Sequence, residues 1–430
     1  MTIMKYGTWA LAALLAFSAC NKDDEEPTPA ASAEFTVTIK NIMQPRDYQA
    51  SGALPDLLMP GDQEQFSFHA GKGSYLSFAT MFVQSNDLFY AFDETGLALY
   101  DASGAPVTGD VTGNVDLWDA GTEVNEEPGV GANQAPRQAG PNTGPAENGV
   151  VALVNDGFTY PADESVIRVT LAHDGGTQFT VTIENISGSS SLPTPLAPGV
   201  WAVHGSSVQL FKAGQAADAG LEAIAEDGNN ATTLVELEAN TGYSSPLAPG
   251  VWAVHESGTM PLFTNGVADR GEGLEALAED ANPGGLNTYL AGAAGVIDHG
   301  IFNTPDGASS PGPILPGNSF SFTFTAEEGS YLSLATMLGQ SNDLFFAYGE
   351  DGFPLFTNGV PASGDITDGI QLWDAGTEVN EYPGAGNNQA PRQAGPNTGA
   401  AENGVVQPVN DGFSYPAANQ AIQVRIEAKN

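Results

Sequence analysis

Much of the chain alternates apolar and polar residues with a period of two. Phe35-Thr-Val-Thr-Ile39, Gln65-Phe-Ser-Phe-His69, Val166-Ile-Arg-Val-Thr-Leu171, Ser319-Phe-Ser-Phe-Thr-Phe324 and Ala421-Ile-Gln-Val-Arg-Ile426 each present one apolar face. That spacing predicts half-buried strands. Gly, Pro, Asn and Asp break the runs at short intervals, as expected of an antiparallel sandwich with long loops. Two segments depart from the pattern. Ala219-Gly-Leu-Glu-Ala-Ile-Ala-Glu-Asp227 and Glu272-Gly-Leu-Glu-Ala-Leu-Ala-Glu-Asp280 read as short amphipathic helices that bury Leu221 and Ile224, or Leu274 and Leu277. Long helical patterns are absent, which argues against α/β enzyme folds. The expected class is all-β: tandem antiparallel sandwiches with a few short helices.

The strands come in duplicate. Phe35–Ile42 matches Phe179–Ile186, Ser74–Met81 matches Ser330–Met337, and Gln84–Phe89 matches Gln340–Phe345. Trp118–Glu126 recurs unchanged as Trp373–Glu381, Gln134–Gly144 recurs as Gln389–Gly399, and Asn155–Phe158 recurs as Asn410–Phe413. The early match is offset by 144 residues and the later ones by 256 or 255, so about 112 extra residues sit near the start of the second copy. They contain a second repeat: Pro195–His204 recurs as Pro246–His255, each followed by a Leu-Phe pair and one of the two helices. Taken in chain order, this predicts a first domain over 34–174 that lacks its early segment. The second domain, over 177–430, carries that segment twice, at 195–245 and 246–293.

The N-terminal residues give the expected address. Lys5, the apolar run Thr8–Phe17 and the small residues Ser18-Ala19 form a signal segment over 1–19, too short to span a bilayer. Phe17-Ser-Ala-Cys20 resembles a bacterial lipobox, so Cys20 is the expected site of lipidation. It is the only cysteine, so no intramolecular disulfide is possible. Residues 20–33 are polar and rich in Pro, Ala and Ser, and predict a disordered tether. The acidic run after Cys20 resembles the export signal of bacterial surface lipoproteins. These resemblances imply an exported protein anchored to the outer membrane and exposed at the cell surface.

Composition narrows the partners. Twelve Lys and Arg face 52 Asp and Glu, for a formal net charge of −40. Such a surface repels nucleic acid and anionic lipid, and attracts cations. The acidic residues that stand out lie in loops at strand ends. Asp87 follows one strand and opens the next. Asp119 and Glu123 follow another, with Gly121 between them giving the backbone room to turn. The second copy repeats these as Asp343, Asp374 and Glu378. Carboxylates widely separated in sequence, with amides and carbonyls around them, suit Ca²⁺, which takes six to eight oxygen ligands. Helical metal motifs and clustered Cys or His are lacking, which disfavours zinc and redox metals. Asp in such turns also bonds to its own backbone, the alternative reading of these positions. Trp118 and Trp373 are expected in the core. Arg137 and Arg392 are expected to pair with loop carboxylates and order the Gly/Asn-rich loops Glu126–Gly149 and Glu381–Gly404.

With those residues in place a resemblance becomes specific. Ser-Asn-Asp-Leu-Phe at 85–89, Leu-Trp-Asp-Ala-Gly-Thr-Glu at 117–123, the Asn/Gln/Pro-rich stretch and the Asp-Gly-Phe-Thr-Tyr-Pro run at 156–161 resemble the amino-terminal spondin domain of extracellular matrix proteins. The Gly-Val-Trp-Ala-Val-His and Gly-Leu-Glu-Ala segments resemble its early part. The resemblance implies a β-sandwich of C2-like topology with calcium at one end. It carries over Asp87, Asp119 and Glu123, and Asp343, Asp374 and Glu378, as ligands. That family often has Asp where this chain has Glu123 and Glu378, so the oxygen there is displaced. The implied function is adhesion, or recognition of an extracellular protein or glycan, rather than catalysis. A glycoside hydrolase needs two carboxylates facing across a cleft, whereas Asp119 and Glu123 share one loop. Nucleophile-elbow, zinc-helix and phosphate-loop motifs are absent. A purely structural envelope role is the remaining alternative.

Overall fold

The computed structural model describes residues 1–2 and 31–429. The signal segment, Cys20 and the tether as far as residue 30 lie outside the described residues. Ser32 and Ala33, assigned above to the tether, instead open the first strand, Ser32–Asn41. Alternation builds this strand as expected: Phe35, Val37 and Ile39 are fully buried, and the threonines between them are partly exposed.

The molecule is all-β, with a few short helices, and contains two sandwiches of matching design. In the first, one sheet has the order Gln63–His69, Gln178–Asn185, Ile167–Gly175, Gly109–Asp110. The facing sheet runs Tyr48–Leu54, Gly199–Gly205, Ser74–Met81, Leu88–Ala91, Asp116–Asp119, Ala152–Leu153. In the second, the orders are Ser319–Glu327, Ser32–Asn41, Ile422–Lys429, Gly364–Asp365 and Val296–Phe302, Leu247–Glu256, Ser330–Leu338, Leu344–Ala347, Gln371–Asp374, Gln407–Pro408.

These orders correct the domain boundaries drawn in chain order. The first strand of the chain belongs to the second sandwich, where it pairs antiparallel with Ser319–Glu327 and Ile422–Lys429. Its near-twin Gln178–Asn185, expected to open the second domain, closes the first, between Gln63–His69 and Ile167–Gly175. The segment around Gly199–Gly205 also belongs to the first sandwich, paired with Tyr48–Leu54 and Ser74–Met81. Neither copy is therefore trimmed and neither carries a doubled segment. The first domain, from Tyr48 to Thr241, is a circular permutant of the second, and is inserted after the second domain's first strand. Entry and exit run side by side: Asp47 N donates to Asn240 O at 3.1 Å and Gly242 N to Tyr48 O at 3.0 Å. Insertion is tolerated because closing a long loop costs little more than closing a short one, provided its ends lie together. Asn41 secures the junction. Its buried amide donates to Ser245 O at 2.9 Å and Ile314 O at 3.1 Å, beyond the insertion.

Each sandwich has its own core. Phe35, Val37 and Ile39 pack with Trp252, Phe320, Phe324 and Ile426 in the second. Phe179, Val181 and Ile183 pack with Phe68, Leu76 and Trp201 in the first. The helices cover the outer faces of the larger sheets. Asp218 caps Ala219–Asp227, accepting from Gly220 N and Leu221 N, and Gly228 ends the helix in the left-handed region. Leu221 and Ile224 then pack on Phe89, Trp118 and Phe211. Leu274 and Leu277, from Leu274–Asp280, pack likewise with Phe345 and Trp373. Both predicted helices and both core tryptophans are thus present.

Candidate metal centre

The site grows from two neighbouring strand ends. Ser85 makes a tight turn, its hydroxyl accepting from Leu88 N at 3.1 Å and donating to Phe82 O. Asp87 follows, immediately before the strand Leu88–Ala91. That strand is in register with Asp116–Asp119, Leu88 opposite Asp119. Asp87 and Asp119 are thereby brought together from distant parts of the sequence. The second domain repeats this with Leu344 opposite Asp374, which joins Asp343 to Asp374.

Each buried Asp is only half satisfied. Asp87 Oδ2 accepts from Thr122 N at 2.6 Å, Thr122 Oγ1 at 3.0 Å and Glu123 N at 3.0 Å. Its Oδ1 is buried without a partner. Asp343 behaves alike, with Oδ2 held by Thr377 and Glu378 and Oδ1 left unpartnered. Asp119 accepts from Gly121 N and Asn125 Nδ2, both at 2.7 Å, and Asn125 Oδ1 is a further buried oxygen without a donor. Asn380 stands in the same relation to Asp374.

The third carboxylate of each cluster is not the one expected. Asp87, Asp119 and Glu147 bring oxygens within 4.8 Å of one another, as do Asp343, Asp374 and Glu402. Glu123 and Glu378 are engaged elsewhere. Glu123 is buried and accepts from Gly144 N at 2.6 Å and Asn86 Nδ2 at 3.3 Å, so it clamps the long loop to the Ser-Asn-Asp turn. Glu378 does the same through Asn342 Nδ2 at 3.1 Å and the Gly399 backbone. Glu147 arrives because the end of that loop folds back: Glu147 N donates to Thr122 O and Gly149 N to Gly121 O. Gly121 sits at φ 70°, and a side chain there would strike the backbone of Val150, so glycine is required for this return. Glu402 and Gly376 repeat the arrangement. The repeated Ala-Glu-Asn-Gly at 146–149 and 401–404 was the available signal, but it lies inside a stretch that reads as a recognition loop.

No family model matches this chain, and no curated protein does.

Electrostatically the clusters have no side-chain cation paired with them among the described residues. Among the described residues three ion pairs occur, Arg168–Glu184, Arg270–Glu272 and Lys429–Glu34, none at either cluster. Arg137 and Arg392, expected to pair with carboxylates, donate to oxygens of the loop: the carbonyls of Gly131 and Gly386, and the amides of Gln134 and Gln389. Burial, then the nearby Asp119 charge, pushes Asp87 up to about 7. Burial is the first cause at Asp119, Asp343 and Asp374 as well, each raised to about 6. Beneath the clusters the helices add buried Glu226 and Glu279, both pushed up to about 7, chiefly by burial.

Buried carboxylates without a protein cation, and neighbouring oxygens without donors, form a donor set that could hold a metal ion. All the donors are oxygen, the chemistry of a hard cation. The first cluster also has an approach from solvent, a surface cleft of about 580 Å³ lined by Asp119, Asn125, Glu147 and Asp156.

Proposed function

We propose that this chain is an exported, lipid-anchored surface protein whose two spondin-like domains each bind calcium at the loop end of the sandwich. It acts in adhesion or recognition of an extracellular protein or glycan, by binding rather than by catalysis. The observation that carries the calcium part is the pair of buried, half-satisfied aspartates, Asp87 and Asp343, at equivalent positions of the two domains. Calcium is favoured over magnesium because the donors include neutral amide oxygens and come from irregular loops, which suit its flexible geometry. Anchoring at Cys20, surface export and the recognition role are supported by the N-terminal motifs and the spondin resemblance. The long loops Glu126–Gly149 and Glu381–Gly404, held on rigid sheets by Glu123 and Glu378, suit binding.

Calcium titration followed by thermal melting tests the reading. A ligand that binds only the folded state raises the melting temperature with its concentration. Calcium should do so, magnesium much less, and Asp343→Asn with Asp374→Asn should abolish the contribution of one site. No shift in the wild type sinks the calcium assignment. Protease shaving of intact cells tests the address, with resistance arguing for a protected location.

A further inference from the structure

The long loops of the two domains are almost identical, and their differences are concentrated at one place. Between Glu126–Gly149 and Glu381–Gly404 only four positions differ: Glu127/Tyr382, Val130/Ala385, Ala132/Asn387 and Pro145/Ala400. Three of these lie where the second domain's loop meets the first domain. Tyr382 stacks on His69 with ring centroids 3.7 Å apart and planes 11° from parallel. Asn387 Oδ1 accepts from Lys72 N at 2.8 Å and Asn387 Nδ2 donates to Tyr100 Oη at 3.2 Å. The carbonyl of Ala385 lies against Gly71, where any side chain would collide with it. The seam between the domains is thus specified residue by residue.

Beside that seam lies a cleft of about 370 Å³, within the range of small-molecule sites. Its walls come from both domains and from the chain crossing at residues 242–244. Among the described residues no Asp, Glu, Lys or Arg lines it, in a protein with a net charge of −40. Tyr382 and Phe413 meet edge to face at 5.8 Å and remain 40% and 37% exposed. Gln49, Gln340 and Ser414 supply neutral hydrogen-bonding groups.

Gln340 gives the sharpest indication. Its Oε1 is buried without a donor. The counterpart Gln84 Oε1 accepts from both terminal nitrogens of Arg137 at 3.2 Å. In the second domain Arg392 keeps the counterparts of the other two contacts that Arg137 makes, to Gly386 O and Gln389 Oε1, and has none to Gln340. Gln340, which lines the cleft, therefore keeps a buried acceptor that its counterpart in the first domain satisfies internally, and a buried acceptor without a donor is costly.

We propose that this interdomain cleft binds a neutral saccharide, with the apolar face of one ring against Tyr382 and Phe413 and a hydroxyl donating to Gln340 Oε1. Sugar rings carry apolar C–H faces and a rim of hydroxyls that both donate and accept, which matches partly exposed aromatic rings among uncharged amides and hydroxyls. This inference rests on the recognition role and names its ligand class and its site.

The test uses the full chain with calcium present. Neutral oligomers of glucose, xylose, mannose, galactose and N-acetylglucosamine are titrated by calorimetry, beside a proline-rich peptide and extracellular matrix proteins. At least one saccharide should bind. Tyr382→Glu, which installs the residue found at position 127, and Phe413→Ala should each weaken it about tenfold or more, a loss of about 1.4 kcal/mol or greater. Gln340→Ala leaves the seam untouched and should weaken it several-fold with an unchanged melting temperature. Saccharide binding that survives all three substitutions overturns the cleft while recognition stands. Binding of the peptide or a protein but no saccharide does the same. No binding of any probe removes both readings.

Discussion

Phe35 stacks on Phe324 with ring centroids 5.5 Å apart and planes 28° from parallel, at the opposed position of the neighbouring strand. The contact joins the first strand of the chain to the second sandwich across the whole of the inserted domain. Phe35→Ala should therefore destabilise the second sandwich, by about 3–5 kcal/mol for a fully buried aromatic. Phe179→Ala should act on the first. Hydrogen exchange resolved along the chain checks this: Phe35→Ala should loosen Ser319–Glu327 and Ile422–Lys429 and leave Gln63–His69 protected. Loss of protection in Gln63–His69 would mean that the chain-order assignment was correct.

The alternation of apolar and polar residues made the strands, the core and the helices legible, because those depend on local periodicity. It could not say which sandwich each strand completes. Phe35-Thr-Val-Thr-Ile39 and Phe179-Thr-Val-Thr-Ile183 are identical, and either would fill either slot. The choice is made by connectivity: Gln178–Asn185 follows Ile167–Gly175 through a short hairpin and pairs with it, which leaves Ser32–Asn41 to complete the other sandwich. The same holds at the metal centre. Asp87 and Asp119 could be singled out because strand ends gather carboxylates. Glu147 could not, because its place depends on a loop that returns over Gly121 after 25 residues of irregular chain.

The expected and the observed third carboxylate of each domain should separate by assay. Glu147→Gln and Glu402→Gln remove a charged oxygen from the clusters and should weaken calcium binding at their own site at least about tenfold. Glu123→Gln and Glu378→Gln keep a side-chain oxygen for the Gly144 and Gly399 backbone, and should change affinity less while loosening the long loop. Calorimetry should find two sites in the wild type and one strong site in Glu402→Gln, and limited proteolysis should report the loop. Equal losses of affinity from both kinds of substitution would return Glu123 and Glu378 to the ligand set.

Acidity should act in opposite directions on the metal-free and metal-bound protein. Asp87, raised to about 7, and Asp119, Asp343 and Asp374, each raised to about 6, hold protons in the fold that an unfolded chain releases near 3.8. Between about pH 4 and 7 the native state therefore binds more protons, and these groups lower stability as pH rises. Calcium needs the ionised carboxylates, so its stabilisation grows across the same window. Melting curves with a chelator and with calcium should diverge as pH rises from 5 to 7.5. Asp87→Asn with Asp343→Asn, which cannot titrate there, should flatten both trends. Parallel curves would show that these carboxyls do not control the site.

Trp201 lies over Gly52 on the paired strand, and Trp252 lies over Gly300 in the same register. A side-chain carbon at either glycine would come within 2.8 Å of the indole. The indoles have no room to retreat: Trp201 stacks on Phe66 at 4.5 Å, and Trp252 on Phe322 at 5.1 Å. Glycine here allows an aromatic ring to close the sheet face, a packing role quite apart from turn geometry. Gly52→Ala and Gly300→Ala should each cost about 1–3 kcal/mol through overpacking. Because the domains are built separately, Gly52→Ala should lower the melting of the first sandwich and Gly300→Ala that of the second, each with a changed near-ultraviolet signal from its tryptophan. Calcium affinity should be retained in both variants, since neither glycine touches a cluster. Loss of calcium binding in Gly52→Ala would reveal coupling between the sheet face and the loop end that the separate cores give no reason to expect.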